Sequence, residues 1–293
     1  MPAQLTLKSL LNKIHHQFLD ADLYYGHGTD NAWDEAVFLV LHVMHLPMSS
    51  GKEVLSLPLT PEQEKMIRTL AKQRVETKKP LPYLVHRSWF AELEFYIDER
   101  ALIPRSPFAE LIQNHFKPWA NPQKISRILD LCTGSGCMAI ACAHYLPAVQ
   151  VDASDISVEA LEVAKINIEK HQLKNRVHLI HSDLFENITQ QYDIIISNPP
   201  YVDAQGVSNF TAEYHHEPSL ALAAGEDGLD LAKRILAKAA DFLTPNGVLF
   251  VEVGNSERAL MKKFTHLPFT WLTFTRGGEG IFTLTRNELL KKL

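Results

Sequence analysis

The sequence predicts an α/β protein in which a mainly parallel sheet, covered by helices on both faces, follows a small helical N-terminal domain. Three observations carry this. From about residue 125, apolar strand-like runs alternate regularly with helical patterns. Residues 1 to 80 show helical periodicity and no strand signal. The apolar run Tyr192–Ser197 reads as a buried parallel strand and stops abruptly at Asn198, Pro199, Pro200 and Tyr201.

In the N-terminal part, Leu7, Leu10, Leu11, Ile14 and Phe18 share one helical face. Asn31 is placed to cap a second helix built on Ala36, Val37, Leu39, Val40 and Val43, and Asp34 and Glu35 suit its positive end. A third helix starts after Thr60 with Pro61 in its first position and runs to about Lys79 and Pro80. Its Lys65, Arg68, Lys72, Lys78 and Lys79 read as a solvated face. Residues 88 to 104 alternate apolar and polar side chains, which predicts a hairpin turning at Asp98 to Arg100.

The regular part reads as strand (ISRILDL), helix (Cys137 to Tyr145), strand (VQVDASD), helix (Val158 to His171), strand (RVHLIHSD) and strand (YDIIIS). A helix from about Asp227 to Leu243 and the strand GVLFVEVG follow. Phe269 to Thr275 and Gly280 to Thr285 are two further strands with no full helix between them, so one of them is expected to run antiparallel.

With 293 residues and 46% hydrophobic content the chain has a full core and is not disordered. Its net charge of -5 provides no global field for nucleic acid, and neither DNA nor a membrane is expected as a partner. Residues 1 to 80 hold 9 basic and 9 acidic side chains, so the excess negative charge lies in the remainder. Cys132, Cys137 and Cys142, odd in number and without CxxC spacing, are read as reduced buried thiols in the cytoplasm. No run of about 18 apolar residues suggests a membrane span. The 14 histidines lack a convergent third ligand, so no metal site is expected.

Asp130–Gly136 (DLCTGSG) joins the first strand to its helix. Gly134 and Gly136 allow a tight turn and close backbone approach to a ligand, and the helix start offers unpaired N–H groups. Asp155, 19 residues beyond Gly136, has the spacing of a carboxylate that reaches ribose hydroxyls. Asp183 and Leu184, at the third strand end, suit an adenine amino group and ring. A dinucleotide would explain Gly134, Gly136 and Asp155 equally well; S-adenosylmethionine also calls for Asp130, opposite its ammonium, and for the turn at Asn198. The candidate cofactor residues are therefore Asp130, Thr133, Gly134, Ser135, Gly136, Asp155, Ile156, Asp183, Leu184 and Asn198.

At the fourth strand end, the Asn198 amide oxygen and the Pro199 carbonyl can accept both hydrogens of a planar NH2 group while the Tyr201 ring covers one face. Asn198, Pro199 and Tyr201 are the expected catalytic residues, and Pro200 joins them in the substrate site.

With IPRSP at Ile103–Pro107, DLCTGSG, NPPYV, HEPSLALAAGEDGLD from His216 and EVGN from Glu252, the chain resembles the class I methyltransferases that act on planar amino groups. It is most similar to the N(5)-glutamine protein methyltransferases, and the likeness spans nearly the whole chain. YGHGTDNAWDEA, Arg105-Ser106-Pro107 and GGEGIFTLT look like the branch acting on large-subunit ribosomal protein L three. The resemblance implies a Rossmann-like fold with a seven-stranded sheet, S-adenosylmethionine as cofactor, and methylation of a glutamine amide. Release factors as substrate, or exocyclic amines of nucleic acids, are the alternatives. On this reading residues 1-85 form a helical substrate-recognition domain, 86-110 a hairpin connector, and 111-293 the catalytic domain. Arg105 and His216 carry no assigned chemistry.

Overall fold

The computed structural model describes residues 6–291; the outermost residues of the first and last expected domains, 1–5 and 292–293, lie outside it. The described chain forms two compact units. The first comprises residues up to Arg87 together with Thr211–His216, and the second comprises Ser88–Phe210 and the residues from Glu217 onward.

The helical unit contains α1 (Leu7–Leu19), α2 (Ala32–Val43), α3 (Pro61–Thr77) and α4 (Leu81–Val85). Leu7, Leu10, Leu11, Ile14 and Phe18 of α1 are all buried. The Asn31 side chain accepts from the Asp34 N–H at 2.9 Å, capping α2. Thr60 and Gln63 close a reciprocal capping box around Pro61. Along α3, Arg68 pairs with Glu64 at 2.7 Å and Lys72 with Glu76 at 3.7 Å, so acidic neighbours one turn away offset part of its basic character. Arg74, by contrast, is buried, and its Nε donates to Glu35 at 2.6 Å and its Nη1 to Glu213 at 3.1 Å.

The second unit opens with a hairpin, β1 (Ser88–Phe90) and β2 (Leu93–Phe95), then α5 (Phe108–Gln113). The hairpin turns at Ala91 and Glu92, both at positive φ, instead of at Asp98 to Arg100. Asp98 there accepts from the Arg100 guanidinium and closes a separate turn. The alternation carried no Gly or Asn to mark the true corner.

There follow β3 (Arg127–Leu131), α6 (Cys137–Tyr145), β4 (Gln150–Asp155), α7 (Val158–Lys170), β5 (Val177–His181), β6 (Tyr192–Ser197) and α8 (Ala204–Ser208). The unit closes with α9 (Asp230–Phe242), β7 (Leu243–Glu252), α10 (Glu257–Lys263), β8 (Thr270–Trp271), β9 (Ile281–Thr285) and α11 (Arg286–Leu290). The sheet order is β5-β4-β3-β6-β7-β9-β8. Strands β3 to β7 pair in parallel, and β9 runs antiparallel to both its neighbours. The sheet is sandwiched: Ile128, Ile194, Ile196 and Phe250 pack with α6 on one face, and Leu129, Leu131, Ile195 and Leu249 pack with α9 on the other. The chain proceeds outward from β3 in one direction and, from β6, in the other. That reversal leaves a crevice at the carboxyl ends of β3 and β6, where open α/β sheets bind ligands. Among the described residues no helix is long and apolar enough to cross a membrane.

Candidate active site

The loop after β3 is shaped by three positive-φ residues: Cys132 (φ 59), Gly134 (φ 55) and Gly136 (φ 78). Cys132 occupies a left-handed conformation that a side chain disfavours. A methyl added at Gly134 would meet nothing within 4 Å, so space lies open above it. A methyl at Gly136 would lie 3.1 Å from the Ala164 Cβ. The second glycine therefore serves the close packing of α6 on α7 more directly than ligand approach.

Asp130 is fully buried beneath this loop. Its Oδ2 accepts from the Thr133 hydroxyl at 2.6 Å and the Ala139 N–H at 3.1 Å, tying loop to helix. Its Oδ1 is buried and has no hydrogen-bond partner among the described residues. Burial raises its pKa to about 7. Asp155 accepts from Gly134 N–H at 2.8 Å through Oδ2 and from Ser157 N–H at 2.9 Å through Oδ1, and burial likewise raises its pKa. Each oxygen keeps one further lone pair for a ligand hydroxyl.

A cavity of about 300 Å³ opens beside the loop. Gly134, Asp155, Ile156, Asp183, Leu184 and Asn198 all line it, so residues from four consecutive strand ends converge. A second cavity of about 50 Å³ is lined by Thr133, Ser135, Arg105 and Ser106, and Asn198 and Cys132 border both spaces. Pro200 lines the larger cavity, whereas Asp130, Gly136, Pro199 and Tyr201 line neither of these two. Sequence reasoning missed Arg100, Leu220 and Arg234 in the larger cavity. Arg234 pairs with Asp183 at 2.9 Å, and since α9 supplies it 51 positions later, no local motif announces it.

Strand β6 ends with the Ser197 hydroxyl donating to Leu131 O at 2.9 Å, which pins the turn to β3. Pro199 and Pro200 are buried and fix the backbone. Among the described residues the Asn198 side chain has no hydrogen-bond partner, which leaves its amide available. The Tyr201 hydroxyl donates to Glu252 at 3.0 Å, and its carbonyl accepts from Ser256 at 3.0 Å. Arg105 donates to both carboxylate oxygens of Glu217, at 2.6 and 2.7 Å, and this bidentate pair joins the IPRSP loop to the HEPSL segment.

These two adjoining spaces, one wide and lined by acidic strand ends, one narrow, share a free carboxamide on their common wall. A family description, the methyltransferase small domain, matches residues 110–216. Ribosomal protein uL3 glutamine methyltransferase of Francisella tularensis is 51% identical over 272 residues, 92% of this chain and 87% of that protein. The chain belongs to this family of glutamine methyltransferases. A second member, named ribosomal protein uL3 glutamine methyltransferase in Neisseria gonorrhoeae, is 47% identical over 97% of this chain and 96% of its own length. Among solved structures, the hMettl16 catalytic domain in complex with MAT2A 3'UTR hairpin 6 matches with TM-score 0.50 at 17% identity, covering 77% of this chain and 81% of that one. That likeness shows the fold shared by class I methyltransferases, and the identity to the named relatives places the chain among the glutamine methyltransferases.

Proposed function

We propose that this methyltransferase moves a methyl group from S-adenosylmethionine to the side-chain amide nitrogen of a glutamine in ribosomal protein uL3, the large-subunit protein L three. The observation that carries the reading is the unpartnered Asn198 carboxamide on the wall common to both cavities.

The residues present fit the cofactor. The open space over Gly134 admits its backbone, and Asp155 retains acceptor capacity for ribose hydroxyls. Leu184 and Asp183 suit the adenine, with Ile156 beside them. Thr133 and Ser135 line the narrow space above Asp130, whose orphaned Oδ1 is an acceptor for a cationic end. When bound, S-adenosylmethionine supplies an activated methyl on a positively charged sulfur.

An amide nitrogen is a weak nucleophile because its lone pair is delocalised into the carbonyl. Asn198 Oδ1 and the Pro199 carbonyl accept the two amide hydrogens and stabilise positive charge as it grows on nitrogen. Tyr201 covers one face of the carboxamide and limits its rotation. With the methyl supplied by a cofactor that Asp155 and the Gly134 loop would hold, the surplus N–H proton of the product amide would leave to water. No side chain needs to act as a strong base, because a protonated N-alkyl amide is itself a strong acid.

The helical unit, whose charges balance, is proposed to select the protein substrate, and the hairpin segment 86-110 to lead into the catalytic part. Supplying methyl-labelled cofactor and purified enzyme to an extract lacking this protein tests the reading. Label is expected in uL3; label in a release factor or in RNA would overturn the substrate assignment.

A further inference from the structure

Tyr201 is useful only if its ring is held in one plane, and the segment Glu252–Ser256 restrains it in three ways. The buried Glu252 carboxylate accepts its hydroxyl at 3.0 Å, and Ser256 donates to its carbonyl at 3.0 Å. The third restraint is steric. A methyl at Gly254 would lie 2.5 Å from Tyr201 Cε2 and 2.9 Å from Cζ, so the ring rests on bare backbone. Gly254 is backed in turn by Gly280, where a methyl would come within 2.6 Å of Gly254 N, Cα and O. Val253 N–H donates to Gly280 O at 2.7 Å and holds the two segments together.

Glu252 has a second partner. Its other oxygen accepts from the Ser106 hydroxyl, which itself accepts from Phe108 N–H at 3.1 Å. Ser106 lines the narrow cavity, while Glu252 lines neither cavity of the site. One carboxylate thus connects the Tyr201 ring to the wall of the narrow cavity. Register explains how it reaches both: Val251 lies beside Ser197, so Glu252 stands level with the start of the Asn198 turn. Its two hydrogen-bond partners are neutral hydroxyls, and the charge of Arg105 offsets only part of the cost of burying it. Burial raises its pKa, an energetic cost that an apolar side chain would avoid.

We propose that Glu252 is a positioning residue for the methyl transfer, fixing Tyr201 and the Ser106 loop in one frame so that the carboxamide is presented in line with the methyl group. The inference rests on the glutamine methylation reading. A double-mutant cycle of Glu252→Met, which removes both acceptors at similar volume, and Tyr201→Phe tests it, with kcat and KM measured on purified uL3 and cofactor Kd by calorimetry. Each single change is expected to lower kcat about tenfold, with KM and Kd within about twofold of wild type. The double variant is expected to be no slower than the slower single one, because both remove the same bond. Additive losses, or a Kd that weakens in step with kcat, would overturn the proposal. Should Glu252→Met fail to fold, Tyr201→Phe, which keeps the ring, decides alone: wild-type kcat in that variant also overturns it. Wild-type enzyme that leaves uL3 unlabelled would instead remove the methylation reading.

Discussion

Asp130 shows how much a single side chain can contribute without touching a cavity. Burial raises its pKa to about 7, so the free folded protein holds a proton that the unfolded chain releases from roughly pH 4 upward. Its contribution to folding stability is therefore greatest at low pH and declines as pH rises through that window. A cationic cofactor has the opposite preference, since it favours the ionised carboxylate. Affinity for S-adenosylmethionine is expected to rise between pH 6 and pH 8 by about tenfold, and Asp130→Asn to flatten and weaken the profile. Calorimetric titration of both proteins across this range is the check; a flat wild-type curve would remove Asp130 from the charge balance. Asn198→Ala is expected to cost ~3 kcal/mol in the transition state, roughly a hundredfold in kcat, with cofactor still bound. Near-normal turnover in single-turnover assays would show that the amide is gripped elsewhere. The residues legible in the sequence are those fixed by strand ends and punctuation: Gly134, Asp155, Asp183 and Asn198 each close a strand or its turn. Arg234 escaped notice, and Ser106 and Glu252 stood only as motif residues without a role, because their partners are distant in the chain. Ser106 and Glu252 are 146 positions apart.

At the scale of elements, the helical unit is tied together by one guanidinium. Besides Glu35 and Glu213, Arg74 donates to the carbonyls of Tyr24 and Lys78 at 3.0 and 3.1 Å, and Thr29 donates to Glu35 at 3.2 Å. The motif YGHGTDNAWDEA thereby gains a physical purpose: it builds the turn around this buried cluster and caps α2. Removing Arg74 would leave two carboxylates buried together. Arg74→Met is expected to destabilise the helical unit by about 3–5 kcal/mol, read as a lower denaturation midpoint of the full chain. An unchanged midpoint would mean that water replaces the guanidinium. The helices of this unit were legible because periodicity and caps agreed at Asn31 and Thr60. The burial of Arg74 was not, because basic residues on α3 look alike until their neighbours are known. The hairpin corner was misread for a related reason: Ala91 and Glu92 adopt positive φ without the residues that usually mark it.

For the whole molecule, strand order decides where chemistry takes place. The alternation of strands and helices was readable, yet the reversal between β3 and β6 is a long-range property that sequence spacing implies only through analogy with other α/β sheets. A cofactor seated in that crevice stabilises only the folded state. At one hundred times its Kd, S-adenosylmethionine is expected to contribute about 2.7 kcal/mol and raise the melting temperature of the α/β unit by roughly 5–10 °C. Thermal scans with and without the compound measure this, and no shift at saturation would place the cofactor elsewhere.

Cys132 borders both cavities, beside the proposed home of a reactive methyl donor. A thiolate there would compete with the substrate and alkylate itself. Cys132 is half-buried in the cavity wall, unlike the buried Cys137 and Cys142, yet desolvation there, reinforced by the Asp155 carboxylate, pushes its pKa far above the ordinary thiol range, so sulfur stays protonated and a poor nucleophile. The enzyme can thus keep a soft atom next to a potent electrophile for many cycles, and intact-mass spectra after prolonged turnover are expected to show no added methyl on this residue.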